Sequence, residues 1–186
     1  MPITNQGWEL HIVRNSEQRR ASDGKRRTVG RYQVFHNGVR QTGSGLSGTM
    51  AETRGPGANR PAGNGRRIEA GSYPLFTQDG ERYVTIGYRE SEATTVSPKP
   101  GILVGSTGQR VAILIHPGQG FLSSIGCLNP CTRLPNAAEM IDYVGSRRRT
   151  IQIINDLKAF AGAAFPNRNG RRIPNATIVI DGEPSL

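Results

Sequence analysis

Two cysteines, Cys127 and Cys131, are too few to build a disulfide scaffold. A chain of 186 residues can also bury a core without one. No apolar run approaches the ~18 residues of a membrane helix, so no membrane span is expected. The opening stretch, MPITNQGWELHIVRNSEQ, lacks the basic and then apolar segments of a secretory leader. Aromatic residues make up only 6% of the chain, against 24 glycines and 12 prolines, which argues for strands and loops over a helical bundle. Acidic residues are outnumbered 14 to 24 by lysine and arginine, leaving a formal charge of +10. Lysine itself is nearly missing (Lys25, Lys99 and Lys158), so the positive charge is mostly arginine. Such an excess calls for anionic partners, and nucleic acid, acidic lipid and the bacterial cell wall all qualify.

What is present reads as one domain over residues 1–186, mostly β, of sandwich or barrel type, with a helical segment late in the chain. WELHIV alternates as a first strand and is followed by a polar basic loop, NSEQRRASDGKRRT. Asn37-Gly38 sits between two strand-like runs as a hairpin turn, because both positions need positive φ. GLSGTMAET is a further short strand, and residues 53 to 65 form a surface loop. A strand in RRIEAGSYPLF, a second hairpin turn at Asp79-Gly80 and a strand in ERYVTIGY follow. Residues 89 to 109 read as loop, and VAILIH as a central buried strand. Helix is expected from a capping box at Asn136–Glu139 through AEMIDYV, and again from Ser146. There Ile153, Leu157 and Ala161 share a face. ATIVI is the last strand.

The chemistry concentrates in VAILIHPGQGFLSSIGCLNPC, residues 111 to 131. Alternation puts Ala112, Leu114 and His116 on one face of the strand. Ser124-Ile125-Gly126-Cys127 comes 8 to 11 residues after His116, close enough to fold back beside it. A thiol, a base beside it and amide donors next to a glycine are what a cysteine acyltransferase needs. The competing reading is structural, since a histidine closing an apolar strand and a buried cysteine are both ordinary core features.

His116 followed by Ser124-x-Gly126-Cys127 resembles the signature of YkuD-type L,D-transpeptidases, a histidine and then Ser-His-Gly-Cys. Arg67-Ile-Glu-Ala-Gly71-Ser-Tyr73 resembles the upstream turn of the same superfamily. With Thr49–Glu52, the order over roughly residues 30 to 160 is also similar to a branch of small phage and bacterial domains and to type VI secretion effectors. Ile125 replaces the motif histidine, Asn129 the arginine after the cysteine, and Glu69 a proline. The resemblance implies cysteine-dependent acyl transfer or hydrolysis on peptidoglycan stem peptides: transpeptidation, D-amino acid exchange or L,D-carboxypeptidase trimming. Cys127 is then the nucleophile, His116 the base, Ser124 either its orienting partner or part of the oxyanion hole, and Gly126 with Cys127 the oxyanion donors. Substrate contacts are expected at Arg67, Gly71, Tyr73 and Gly118. No cofactor or metal is implied. The place of action is the periplasm or cell wall, reached by a specialised route, with a secretion apparatus or an immunity protein as further partners.

Three other readings belong beside this one. Cys131 can form a disulfide with Cys127 or be a small buried residue, and the latter is favoured. Zinc held by His116, Cys127 and Cys131 with remote His36 or His11 lacks an established ligand spacing. His36 is expected to be exposed, and His11 to be an ordinary strand residue. The arginine clusters at 19–20, 26–27, 66–67, 147–149 and 171–172 are mostly solvated surface. As rival functions, a basic nucleic-acid-binding domain and a wall-binding module without turnover both leave the His/Cys pair structural. Against the first, no stacking aromatics interleave with the arginines.

Overall fold

The computed structural model describes residues 2–184. Its strands, in chain order, are β1 (Trp8–Arg19), β2 (Arg26–His36), β3 (Val39–Arg40), β4 (Ser47–Thr53), β5 (Gly71–Thr77), β6 (Tyr83–Val84), β7 (Lys99–Pro100), β8 (Ile102–Val104), β9 (Ile113–Ile115) and β10 (Asn129–Cys131). The helix α1 (Tyr143–Ala161) and the last strand, β11 (Arg172–Asp181), complete the described elements. The mostly β fold expected from composition is present, with one helix after Cys127.

One twisted sheet runs in the order β10-β4-β2-β1-β11-β5-β8-β9, with β3 hanging from β2. Its two ends meet. Ile115 bridges Leu128 in parallel, and Leu128 leads directly into β10. The bridge consists of Leu128 N–H donating to Leu114 O (2.8 Å) and His116 N–H donating to Leu128 O (3.0 Å). This seam turns an open sheet into a nearly closed barrel. Of VAILIH, residues 113–116 are buried as expected, but Val111 and Ala112 are exposed and precede β9, which lies at the seam rather than in the middle of the sheet.

The inward-facing residues of β1, Trp8, Leu10 and Ile12, meet Tyr32 and Val34 of β2 and Ile178 and Ile180 of β11 in the core. Alternation along β9 sends Ile113 and Ile115 into the same core. The helix packs Ile153, Ile154 and Leu157 against it. Ile153 and Leu157 are thus buried as their spacing predicts, while Ala161 is half-buried at the helix end.

Several sequence expectations need correction. β1 and β2 run through most of the stretch read as a polar loop, pairing as far as Arg19 with Arg26. The Asp79-Gly80 turn does not lead into a ladder with β5. Instead β6 pairs in parallel with β7 as a separate small sheet. The 89–109 stretch contains both β7 and β8. Two- and three-residue strands set among prolines and glycines are too short for a period to register.

The helix expected from Asn136 is absent. The Arg27 guanidinium takes the carbonyls of Phe121 (3.0 Å), Asn136 (2.9 Å) and Glu139 (2.8 Å), and Asn136 caps only Ala138 N–H. The helix starts at Tyr143 because Asp142 is the better cap, accepting from Gly145 N–H at 2.7 Å. Ser146 is not a cap but lies inside the helix, donating to Pro130 O and accepting from Gly118 N–H.

The arginine clusters lie mostly at the surface, as expected, with Arg27, Arg67 and Arg147 as the buried exceptions. Arg14 and Arg110, outside the clusters, are buried as well. Arg14 pairs bidentately with Glu52, and Arg67 with Glu17 and Glu183, so these charges are neutralised inside the fold. His36 is half-buried rather than exposed. Its Nε2 lies 2.7 Å from Asp156, which also accepts from Trp8 Nε1. Among the described residues no helix is long and apolar enough to cross a membrane.

If the seam closes the barrel, truncating its one fully buried leucine should cost a core-sized penalty. Leu128→Ala is expected to lower unfolding stability by about 2–5 kcal/mol in urea titration.

Candidate active site

The strand β9 delivers its outward face to a cleft. Ala112, Leu114 and His116 all line it; alternation places Leu114 and His116 on one face, whereas Ala112 lies just before the strand with φ +54°. The chain then turns through Pro117 and Gly118 and comes back along the seam, placing Ser123, Ser124 and Cys127 in the same cleft. The small β6–β7 sheet supplies Arg82, Tyr83 and Lys99 on the facing side, and the helix start supplies Tyr143. The cavity holds about 260 Å³, room for the few atoms that flank one peptide bond.

His116 is only 2% exposed. Its Nδ1 lies 2.9 Å from the Pro117 carbonyl, which has no proton to give, so Nδ1 carries the proton and donates. That fixes the tautomer and leaves Nε2 with a lone pair, 3.2 Å from Ser124 Oγ. Asn129 Nδ2 donates to the His116 carbonyl at 2.9 Å and holds the residue from behind. Tyr83 lies against the ring with centroids 4.4 Å apart. Burial, with Arg82 and Lys99 adding repulsion, outweighs the Pro117 bond and pushes the imidazole pKa down to about 4. His116 is therefore neutral at pH 7 with Nε2 open to a proton, although its lowered pKa makes it a weaker base than a free imidazole.

Cys127 is 8% exposed and free, as is Cys131. The Leu114 N–H donates to its sulfur at 3.4 Å, and the thiol faces Ala112 O at 3.6 Å. Burial raises the thiol pKa. The Leu114 N–H, the Ser124 hydroxyl and the Arg110 guanidinium all pull the other way. The resting pair is thus a neutral thiol and a neutral imidazole, with the Ser124 hydroxyl in reach of both. No backbone carbonyl among the described residues accepts from the Gly126 or Cys127 N–H. Both remain usable as oxyanion donors.

Gly126 has φ +93°, and a Cβ there would meet Arg110 Nη2 at 2.1 Å. Glycine is required by that contact as much as by the backbone. Arg110 in turn binds Ala58 O, Asn64 Oδ1 and Arg66 O, tying the 53–65 loop to the nucleophile.

The four residues expected to perform chemistry come together, but those expected to bind substrate do not join them. Arg67 is buried against Glu17, Thr28 and Glu183. Tyr73 is buried, its hydroxyl donating to Glu69 O at 2.8 Å and accepting from Asn59 Nδ2 at 3.1 Å. Gly71 starts β5 under that ring. Gly118 packs on Asn129 and Ile141, where a Cβ would come within 2.8 Å of the asparagine. All four shape the walls of the fold, and Arg67 is consumed by its own ion pairs. Arg82, Tyr83, Lys99 and Tyr143 line the cleft in their place. Sequence reasoning passed over them because they arrive from three separate elements. The one available signal was Lys99, a rare lysine within a short Pro-Lys-Pro run.

Cys131 is the small buried residue it was expected to be. Its sulfur sits 3.5 Å from Thr49 O, and burial pushes its thiol up to about 12. Among the described residues no group of three His, Cys, Asp or Glu side chains could hold a metal ion.

No family model, curated protein or solved structure matches this chain.

Two measurements check the protonation states. His116 should remain the Nδ1–H tautomer from pH 8 to pH 5 in ¹⁵N-edited NMR and titrate near pH 4. Because its folded pKa lies below the ordinary ~6.5, the unfolded chain binds the extra proton first. Its contribution therefore erodes stability as the pH falls from about 6.5 towards 4. Iodoacetamide should label Cys127 slowly at pH 7 and faster with rising pH, while Cys131 stays unlabelled until the protein unfolds.

Proposed function

We propose that this protein is a cysteine-dependent acyltransferase or hydrolase acting on peptidoglycan stem peptides, in the manner of the L,D-transpeptidases it resembles in sequence. One observation carries the reading: Cys127, Ser124 and His116 line one cleft, with Ser124 Oγ 3.2 Å from the unprotonated nitrogen of a tautomer-fixed imidazole.

With both partners neutral at rest, proton removal accompanies attack. The Cys127 sulfur adds to the carbonyl carbon of the scissile peptide bond. The thiol proton moves to Ser124 Oγ as the Ser124 proton moves to His116 Nε2. The carbonyl oxygen becomes an oxyanion facing the Gly126 and Cys127 N–H groups. Collapse breaks the C–N bond, and the proton held at His116 Nε2 returns to the leaving amine. The thioester is then resolved by an amine, giving a cross-link or an exchanged residue, or by water, giving a trimmed peptide. In either case His116 takes a proton from the acceptor and returns it to the departing thiolate.

Two features support this route. The Pro117 carbonyl holds the imidazole in the one tautomer that leaves Nε2 free. The Leu114 N–H and Arg110 favour the thiolate as it forms. Asn129 stands at the position of the motif arginine and holds the His116 backbone, so substrate charge has to be met by other residues.

The test is mass spectrometry of sacculi or tetrapeptide muropeptides incubated with the protein. Loss or exchange of the terminal D-residue, or a new cross-link, is expected with the wild type and absent with Cys127→Ala. His116→Gln should lower the rate by about 10²–10⁴ and Ser124→Ala by a smaller factor. Unchanged muropeptides with folded, reduced protein would sink the proposal.

A further inference from the structure

We propose that Arg82, Lys99 and the Tyr143 hydroxyl form a carboxylate-binding subsite on the leaving-group side of the cleft, so that the bound acyl donor ends in a free carboxylate one residue beyond the bond attacked. The assignment to the leaving side rests on the reaction proposed above.

The cleft wall opposite Cys127 is cationic and lacks a counter-ion. Arg82 and Lys99 come together because β6 and β7 pair side by side, Tyr83 with Lys99. Lys99 is only 8% exposed, yet no carboxylate pairs with it among the described residues, and none pairs with Arg82. This contrasts with buried Arg14 and Arg67, each of which has acidic partners. Burial of the Lys99 side chain and the neighbouring Arg82 charge both work against its ammonium, so a bound anion would relieve it. A third group in the same cleft is also unsatisfied: the Tyr143 hydroxyl is buried with no hydrogen-bond partner. An ammonium, a guanidinium and a hydroxyl, all donors and all unmatched, are suited to two carboxylate oxygens.

Packing locates the subsite relative to the reacting bond. Tyr83, which follows Arg82 and pairs with Lys99, lies on the His116 ring with centroids 4.4 Å apart, whereas Arg110 lies against Gly126, next to Cys127. His116 is the group that protonates the departing amine. In a leaving amino acid the α-carboxylate lies two bonds from that amine nitrogen. Cations grouped around His116 are therefore placed for the carboxylate of the residue that leaves.

A probe pair reads the subsite without relying on the peptidase reaction. N-iodoacetylglycine and N-iodoacetylglycinamide share a reactive group and differ only in the carboxylate. Cys127 of the wild type is expected to react roughly tenfold or more faster with the acid than with the amide, corrected by the same ratio on glutathione. The preference should fall in Arg82→Gln, an exposed position that leaves folding alone, and approach unity when Lys99→Met is added. Acetate should slow the acid selectively. Equal rates in the wild type, or a preference that survives both substitutions, would overturn the subsite. Tetrapeptide donors ending in acid or amide separate the two proposals. Turnover of both ends at one rate removes the subsite and keeps the reaction. Acid-selective alkylation without turnover of either peptide keeps an anion subsite and removes the reaction.

Discussion

Two backbone hydrogen bonds, Leu128 N–H to Leu114 O and His116 N–H to Leu128 O, hold the site in place. They join the last strand of the sheet path to the chain that enters its first. Without them β9 is an exposed edge and Cys127 hangs on an unpaired loop. With them, the residue before Leu128 and the residue after Ile115 are fixed across one parallel bridge. Barrel closure and the placing of thiol and imidazole in one cleft are thus one event. The helix contributes from below, its Ser146 hydroxyl clasping Gly118 N–H and Pro130 O on either side of the seam.

The positive charge is sorted by position. Arg14 and Arg67 meet carboxylates inside the barrel, Arg27 meets three carbonyls, and Arg110 meets two carbonyls and an amide. Arginine suits such sites because its planar fork satisfies several acceptors at once. Lysine does not, and Lys99, whose side chain is buried at the cleft, has no acidic partner among the described residues. The rarity of lysine and its placement here point the same way. Where the fold needs a cation for itself it uses arginine; beside His116 it keeps an ammonium without an acidic partner among the described residues.

Much of this was legible in the sequence where a short period or a local turn decided the outcome. Leu114 and His116 share the cleft because a strand alternates, and the return to Cys127 follows from a loop too short to wander. The Asn37-Gly38 turn, with φ +48° and +80°, is of the same local kind. What was not legible depended on partners distant in the chain. The helix fails to start at Asn136 because Arg27, 109 residues earlier, occupies the carbonyls that a first turn would use. Arg67 matched a motif but is spent on Glu17 and on Glu183. Arg82 and Lys99 become neighbours only through a parallel pairing of two-residue strands, which leaves no periodic trace.

Arg110 joins parts of the molecule that the chain keeps apart. One guanidinium ties the carbonyls of Ala58 and Arg66 to the space where Gly126 lacks a side chain. The glycine- and proline-rich loop is therefore the outer buttress of the nucleophile, not a spacer between strands. Its length and composition set how firmly Arg110 is seated, and hence how much positive potential the sulfur feels. Remodelling that loop offers a way to tune thiol reactivity while every cleft-lining side chain stays as it is.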